Sequence, residues 1–180
     1  MDGLRIRALR MELGMTLTQL ASEARLSEGM ISQVERGITD PSLETLRKIS
    51  RVLRVPLFQL FDQEDAAPGR ATVLRKKDQV RISSPATSIT YLRQSQGYGQ
   101  LEVLRGTLAP GGASSTEPWS HPAEECVVVI SGSLEIEIQD ESISLEPGDS
   151  CHFDSTLPHR LVNTSNKPTV FMTAVTPPSY

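Results

Sequence analysis

Residues 27–37 have the sequence SEGMISQVERG, and this stretch decides the fold of the first part of the chain. Ser27 is a favoured N-cap residue and Gly37 a favoured helix terminator, so the stretch predicts a helix from Glu28 to Arg36.

The predicted helix has two chemically different faces. At about 100° per residue, Ile31 and Val34 fall together on an apolar side that can pack onto other helices. The opposite side is small and polar, and it carries Glu28, Gly29, Ser32, Gln33 and Arg36. A face of this kind can enter a DNA major groove, although an amphipathic helix in an ordinary bundle would have the same pattern.

The flanking residues predict further short helices on both sides. Thr16 and Gln19 fit a capping box that opens the preceding helix, and Pro41-Ser42 starts the following one. Helical spacing before Gly14 indicates a first helix, and Leu57, Leu60 and Phe61 indicate a short fifth. Five helices in residues 1–61, two of them joined by a tight turn, predict a helix-turn-helix domain.

The polar side chains suggest how such a domain would contact double-stranded DNA. Gln33 can pair with adenine through its amide, and Ser32 can contact a base edge or the backbone. Arg36 suits phosphate, as does Gln19 near the positive end of its helix. Glu28 can accept from cytosine or simply favour the helix N-terminus. The candidate DNA-contacting residues are Gln19, Ser27, Glu28, Gly29, Ser32, Gln33 and Arg36.

The stretch from Leu4 to Phe61 resembles the DNA-binding domain of the phage-repressor (XRE, or Cro/repressor) family. The matching segments are IRALR at 6–10, MTLTQLA at 15–21, ISQVERG at 31–37 and PSLETL at 41–46. The chain departs from the family in the turn before the recognition helix, where Gly is usual and Arg25 stands here. Because arginine adopts positive φ only at some cost, we expect this turn to be either slightly altered or strained.

Charge and composition divide the chain further. Residues 1–61 hold nine Arg or Lys against seven Asp or Glu, whereas residues 91–180 hold four against eleven. Residues 62–72 are polar and contain Pro-Gly, so we expect a linker between a domain at 1–61 and a second at 73–180.

The chain has no long apolar run or signal core, so we expect no membrane contact and a cytoplasmic location. We interpret the two cysteines, Cys126 and Cys151, as packing residues, with a redox switch as the alternative.

The second part of the chain has the pattern of an all-β domain. Residues 134–138 alternate apolar and acidic side chains, residues 127–130 form a β-branched run, and residues 142–145 and 170–175 also predict strands. Gly and Pro turns separate them. Many short strands joined by such turns favour a β-barrel or a sandwich.

From about Gly111 to Asn163 the chain resembles the cupin superfamily, which implies a double-stranded β-helix (jelly-roll) barrel. Metal-binding cupins have His-x-His followed by Glu in a first motif and a further His in a second. The resemblance places the ligand positions at Trp119, His121, Glu125 and His159, so a tryptophan replaces the first ligand. Two imidazoles and a carboxylate can still hold one divalent ion, such as Zn, Fe, Mn or Ni. An organic-ligand pocket without metal is the alternative, and Trp119 is then a pocket wall or a core anchor.

The second part of the chain has a His with Glu-Glu three residues on, a Pro-His before Asn-Thr-Ser, and a closing Thr-Pro; these are His121, Glu124, Glu125, Pro158, His159, Asn163-Thr164-Ser165 and Thr176-Pro177. With these residues, and with a helix-turn-helix followed by a single small cupin, the whole chain resembles the cupin regulators that control polyamine use. That resemblance implies a homodimer or a higher even oligomer, a palindromic operator and a small-molecule effector in an effector pocket formed by Trp119, His121, Glu125 and His159. It predicts a DNA-binding transcriptional regulator rather than an enzyme. The alternatives are a metal-dependent cupin enzyme (an oxygenase or isomerase) fused to a DNA-binding domain, and an antitoxin or partner-binding adaptor. An acidic barrel is compatible with a cationic effector such as a polyamine.

Overall fold

The structure, a computed structural model, describes residues 3–61, 71–95 and 99–179. The described residues divide into two compact units, one before and one after residues 62–70. The predicted linker at 62–72 therefore lies almost wholly outside the described residues, and its bounds stay a prediction. Within the described ranges the longest helix has 11 residues, and no helix is long and apolar enough to span a membrane.

The first unit is helical. It contains α1 (Leu4–Glu12), α2 (Leu17–Ala24), α3 (Glu28–Glu35) and α4 (Leu43–Leu53), followed by a 3₁₀ helix (Leu57–Phe61). The predicted caps are all present: Thr16 and Gln19 form a capping box, Ser27 caps α3 and Ser42 caps α4. The apolar faces converge on one core, which includes Ile6, Leu20, Ile31, Val34, Ile49 and Phe58.

The predicted count of five α-helices is wrong by one. The fifth segment is a five-residue 3₁₀ helix, in which the Gln59 amide donates to the carbonyl of Pro56 at 2.9 Å. Pro56 lacks an amide proton, and so short a segment gains little from the α-helical bonding pattern. The helix predicted to end at Arg36 ends at Glu35, with Arg36 as its C-cap.

The second unit contains two antiparallel sheets. The first has the strand order β1-β2-β3-β9-β4-β7 and the second the order β6-β5-β8. The strands are β1 (Arg81–Ser84), β2 (Ile89–Arg93), β3 (Glu102–Leu108), β4 (Glu124–Ser131), β5 (Leu134–Ile138), β6 (Glu141–Leu145), β7 (Ser150–Asp154), β8 (His159–Val162) and β9 (Thr169–Thr176). A short 3₁₀ turn at Lys76–Asp78 precedes them.

The four strands predicted from alternation and β-branched runs are all observed, as β4, β5, β6 and β9. Their buried side chains include Val127, Val129, Leu134, Ile136 and Phe171. Gly106 lies opposite Phe171 in the β3–β9 register, where an added Cβ would stand 2.1 Å from the phenyl ring. The ring therefore fills the space that any side chain at residue 106 would need.

Candidate functional site

The residues predicted to contact DNA lie on the surface of the helical unit, on α2 and α3 and at the N-cap of α3. Ile31 and Val34 are completely buried, which fixes the opposite face of α3 toward solvent. Ser32 is half-buried, and the exposed candidates are Gln19, Ser27, Glu28, Gly29, Gln33 and Arg36. The predicted separation of the two faces of this helix is confirmed, while DNA contact by these residues stays a prediction.

Several of these side chains are already engaged in local hydrogen bonds. The Ser27 hydroxyl accepts from the Met30 amide at 3.2 Å, and the Gln19 Oε1 accepts from the Thr16 amide at 2.7 Å. The Arg36 Nε donates to the Ser32 carbonyl at 3.1 Å. Among the described residues, Gln33 has no side-chain hydrogen bond, so both the donor and the acceptor of its amide are available to a base.

An ion pair between the half-buried Arg10 and the buried Glu35 holds α3 against α1. Arg10 donates to the Glu35 carboxylate through Nε at 2.6 Å and through Nη2 at 2.9 Å, and Nη1 donates to the Met15 carbonyl at 2.8 Å. The hydrogen bond to Glu35 raises the pKa of Arg10. No pattern in the sequence predicted this pair. Its only signal is a glutamate at the border between the apolar and polar faces of α3.

The turn between α2 and α3 is strained, as the sequence predicted. Arg25 has φ 55° and ψ 46°, which is the left-handed region that favours glycine. Its amide and that of Leu26 donate to carbonyls of the last turn of α2, and these bonds close the helix end. The turn therefore closes α2 in the left-handed conformation with an arginine where glycine is favoured.

In the second unit, three of the predicted ligand residues come together across the two sheets. His121 lies just before β4, Glu125 lies on β4 and His159 begins β8. One ligand atom from each can be chosen so that all three lie within 4.8 Å of one another. The Glu125 Oε1 is 2.8 Å from the His121 Nε2 and 3.5 Å from the His159 Nε2. All three side chains are buried.

The second nitrogen of each imidazole is held by another group. The His159 Nδ1 is 2.8 Å from the Leu157 carbonyl oxygen, which can only accept. His159 therefore donates its Nδ1 proton to that carbonyl, and its Nε2 faces Glu125. The His121 Nδ1 is 2.6 Å from the Ser179 hydroxyl, and the Thr173 hydroxyl donates to the Glu125 Oε2 at 3.1 Å.

Glu125 is a buried carboxylate that stays charged. Burial acts to raise its pKa, but the two imidazoles outweigh this effect and lower the pKa to about 2. The His121 Nε2, although close to Glu125, lacks hydrogen-bond geometry with any described group. A charged oxygen and an imidazole nitrogen thus face the same small space.

Aromatic rings enclose this cluster. The Trp119 ring stacks on His121 with centroids 4.4 Å apart, and Phe153 lies 5.0 Å from His159. An indole has no free lone pair for a metal, so Trp119 forms a wall here and leaves three ligand groups. Trp119 and His159 also exchange two backbone hydrogen bonds, of 3.1 and 3.0 Å.

Sequence reasoning missed the groups that orient the cluster, which are Ser179, Thr173 and the Leu157 carbonyl. A threonine at an inward position of β9 is a weak signal that points to Thr173. The sequence contains no comparable signal for Ser179. The neighbouring Glu124 and His152 are exposed and 3.6 Å apart, on the outer side of the sheet, in agreement with the alternation of β4.

The three residues fit a divalent metal. Two imidazoles and one carboxylate are common ligands of Zn, Fe, Mn and Ni, and the unpartnered His121 Nε2 is an atom that such an ion would satisfy. Both histidines also have the hydrogen bond on their other nitrogen that metal-ligating histidines usually make.

Two family matches agree with this architecture. Residues 6–60 match the helix-turn-helix family, and residues 104–175 match the cupin domain family. The chain therefore carries a helix-turn-helix domain in its first part and a cupin domain in its second part. Both domain types predicted from the sequence are confirmed.

Particular relatives cover nearly the full chain. It is 24% identical to the HTH-type transcriptional regulator PuuR of Escherichia coli (strain K12) over 178 residues, which are 99% of this chain and 96% of PuuR. It is 27% identical to the HTH-type transcriptional regulator SutR of the same organism over 154 residues, which are 86% of this chain and 82% of SutR.

Solved structures show the same fold. An HTH_3 family transcriptional regulator from Vibrio cholerae superposes with a TM-score of 0.74 at 21% identity, covering 97% of this chain and 94% of that one. The hydroxypropylphosphonic acid epoxidase from S. wedmorenis superposes with a TM-score of 0.51 at 15% identity, covering 97% and 96%. Because that second protein is an enzyme, the fold by itself does not separate a regulator from an enzyme.

Proposed function

We propose that this protein is a sequence-specific DNA-binding transcriptional regulator whose cupin domain binds a small cationic effector and thereby changes operator binding. One observation carries the effector class: a charged carboxylate and two imidazole nitrogens face one small buried space. Anions would be repelled by Glu125, whereas a metal ion or a protonated amine would satisfy it.

The exposed face of α3 supports sequence-specific DNA binding. Gln33 would read a base edge through its amide, with Ser32 and Gly29 allowing a close approach. Arg36 and the amide nitrogen of Gln19 would bind phosphates and position the helix. We propose a homodimer or higher even oligomer on a palindromic operator with half-sites about one helical turn apart.

The cation is either a divalent metal or an ammonium group such as that of a polyamine. His121, Glu125 and His159 would hold a metal, which would supply a positively charged centre with open positions for an effector's donor atoms. An ammonium group would instead donate to Glu125 and the two Nε2 atoms, with Trp119 beside it. Either cation would regulate operator binding only if it bound the two functional states with different affinity.

The test uses the full chain and a matched pair of glutamates. Unfolding is followed with ZnCl₂, MnCl₂ or spermidine for the wild type, for Glu125→Gln and for Glu124→Gln, which alters the exposed neighbour. A ligand at about 100 times its dissociation constant stabilises the folded state by about 2.7 kcal/mol. We expect this shift in the wild type and in Glu124→Gln but not in Glu125→Gln, together with a change in operator affinity.

Two results would contradict the proposal. If no cation shifts the wild type, the barrel is not a cation sensor. If a metal binds and the protein then turns over a substrate without any effect on operator affinity, the alternative of a fused cupin enzyme is correct. We favour the regulator because Trp119 removes a ligand position.

A further inference from the structure

The two sheets of the second unit differ in the chemistry of their outer faces. On the three-stranded sheet the outward positions are polar and include Glu135, Glu137, Ser142, Ser144 and Arg160. This is the usual alternation of an antiparallel sheet that has one face in water. On the six-stranded sheet the outward positions of the central strands β3, β9 and β4 are mostly apolar, and they include Val103, Cys126, Val128, Val170, Met172 and Ala174.

These apolar side chains form one continuous patch. In the strand register Ala174 lies between Val103 and Cys126, and Met172 lies next to Val128. All six side chains are half-buried, so part of each still meets solvent in a single copy of the chain. An apolar patch with a polar border, on a domain whose other sheet faces water normally, marks a contact surface.

Charged side chains border the patch, with opposite sign on its two sides. Arg81 on β1 and Arg105 on β3 are exposed on one side, whereas Glu124 on β4 and Asp154 on β7 are exposed on the other. The strand order separates these two sides by β9. A two-fold axis that runs along β9, in the plane between two packed sheets, lays the basic side of one copy over the acidic side of the other. The face is therefore complementary to itself.

We propose that the outer face of the six-stranded sheet is the homodimer interface, and that its occupant is the same face of a second copy. Six strands about 4.8 Å apart, with about six residues per strand at about 3.4 Å each, give a face of about 600 Å². A standard interface buries about 800 Å² per partner, so this face supplies most of what a stable dimer needs. Two such sheets can pack with nearly aligned strands, as in β-sandwiches. This inference rests on the homodimer of the proposed function.

The first test introduces a charge at the centre of the patch. Met172→Glu places a carboxylate beside Arg105, its neighbour on β3, so a monomer tolerates the substitution whereas a dimer buries it. Sedimentation velocity of the full chain over a dilution series measures the dissociation constant of the dimer. We expect this constant to rise about 30-fold or more, as at an interface hot spot. Ser144→Glu introduces the same side chain on the outer face of the three-stranded sheet, and it should leave the constant unchanged.

The second test reverses the charges on one side at a time. Arg105→Glu and Glu124→Arg each place like charges face to face, so each variant alone should dissociate with a constant raised about 10-fold. An equimolar mixture of the two variants has opposite charges at both contacts, and it should form a heterodimer with about the wild-type constant. Both residues are exposed, so neither substitution disturbs the core of the barrel, which circular dichroism checks.

The outcomes separate this inference from the proposed function. Variants that lose the dimer alone and regain it on mixing support the interface. If the wild type and all variants dimerise equally well, the interface is wrong and the proposed function is unaffected. If Met172→Glu lowers the free energy of unfolding but leaves the dissociation constant unchanged, another part of the same chain covers the face, and the inference is again overturned. A monomeric wild type contradicts the inference together with the homodimer of the proposed function.

Discussion

The polar face of α3 and the cluster of His121, Glu125 and His159 differ in how exposed their polar side chains are. On α3, Gln33 and Arg36 are exposed, and buried neighbours such as Ile31 and Val34 maintain the helix position. In the cluster, His121, Glu125 and His159 are themselves buried and hold one another. Substitutions on the exposed face of α3 therefore need not lower the stability of the fold. Substitutions in the buried cluster alter ligand binding and packing together.

The largest effect should come from a buried charge inside the helical unit. Arg10→Ala leaves Glu35 buried without its partner, and we expect a loss of about 3–5 kcal/mol in the free energy of unfolding. Arg7→Ala, an exposed arginine on the same helix, should change it by less than about 0.5 kcal/mol. Urea unfolding followed by helical circular dichroism measures both. If the two variants are equally stable, removing the partner of the buried Glu35 costs no more than removing an exposed arginine.

The next largest effect concerns base reading. Gln33→Ala should lower affinity for duplexes selected from a random pool by about 1–3 kcal/mol and relax the preference at one position of each half-site. Its unfolding free energy should match the wild type, since the side chain is exposed. Ser22→Ala, an exposed residue on α2, is the control for DNA binding. Unchanged affinity and sequence preference in Gln33→Ala would show that Gln33 does not contact a base.

A smaller effect is expected where an arginine neutralises a phosphate. Arg36→Ala should weaken binding to selected and unrelated duplexes by a similar factor. It should also lower the slope of log affinity against log salt by about 1 for each phosphate that is no longer neutralised. Lys48→Ala removes a charge from the exposed side of α4 and should leave the slope unchanged. A weakening confined to the selected sequence would instead assign Arg36 to base recognition.

The smallest effect tests the strained turn. Arg25→Gly should relieve the left-handed backbone and raise the unfolding free energy by up to about 1 kcal/mol, while Arg25→Ala should leave the strain in place. Calorimetry of the full chain measures both changes. A Gly variant less stable than the wild type would show that the Arg25 side chain contributes more than the strain costs.

Local chemistry explains which features the sequence could predict. Capping residues act within four positions, so Thr16, Gln19, Ser27 and Ser42 predicted their helices, and alternation predicted β5. The spacing of the cupin motifs predicted that His121, Glu125 and His159 share one site, without any knowledge of the strand order. The length of the last helix was not predictable, because a 3₁₀ segment after Pro56 has the same apolar spacing as an α-helix.

The remaining features depend on contacts between distant parts of the chain. The pairing of Arg10 with Glu35 and of Ser179 with His121 arises only when separate elements pack together. No local pattern marks either pair, since each residue type is common on surfaces. The orientation of the imidazoles, and with it the chemical character of the cluster, therefore had to come from the structure.

The backbone bridge between Trp119 and His159 has an evolutionary consequence. Residue 119 stands where the cupin resemblance expects a histidine, and its main chain is already fixed against β8 by two hydrogen bonds. A histidine introduced there would be carried on a preformed backbone, so a fourth ligand requires a new side chain rather than a new loop. On this barrel, a substitution at residue 119 alone can change the number of ligand groups while the scaffold stays intact.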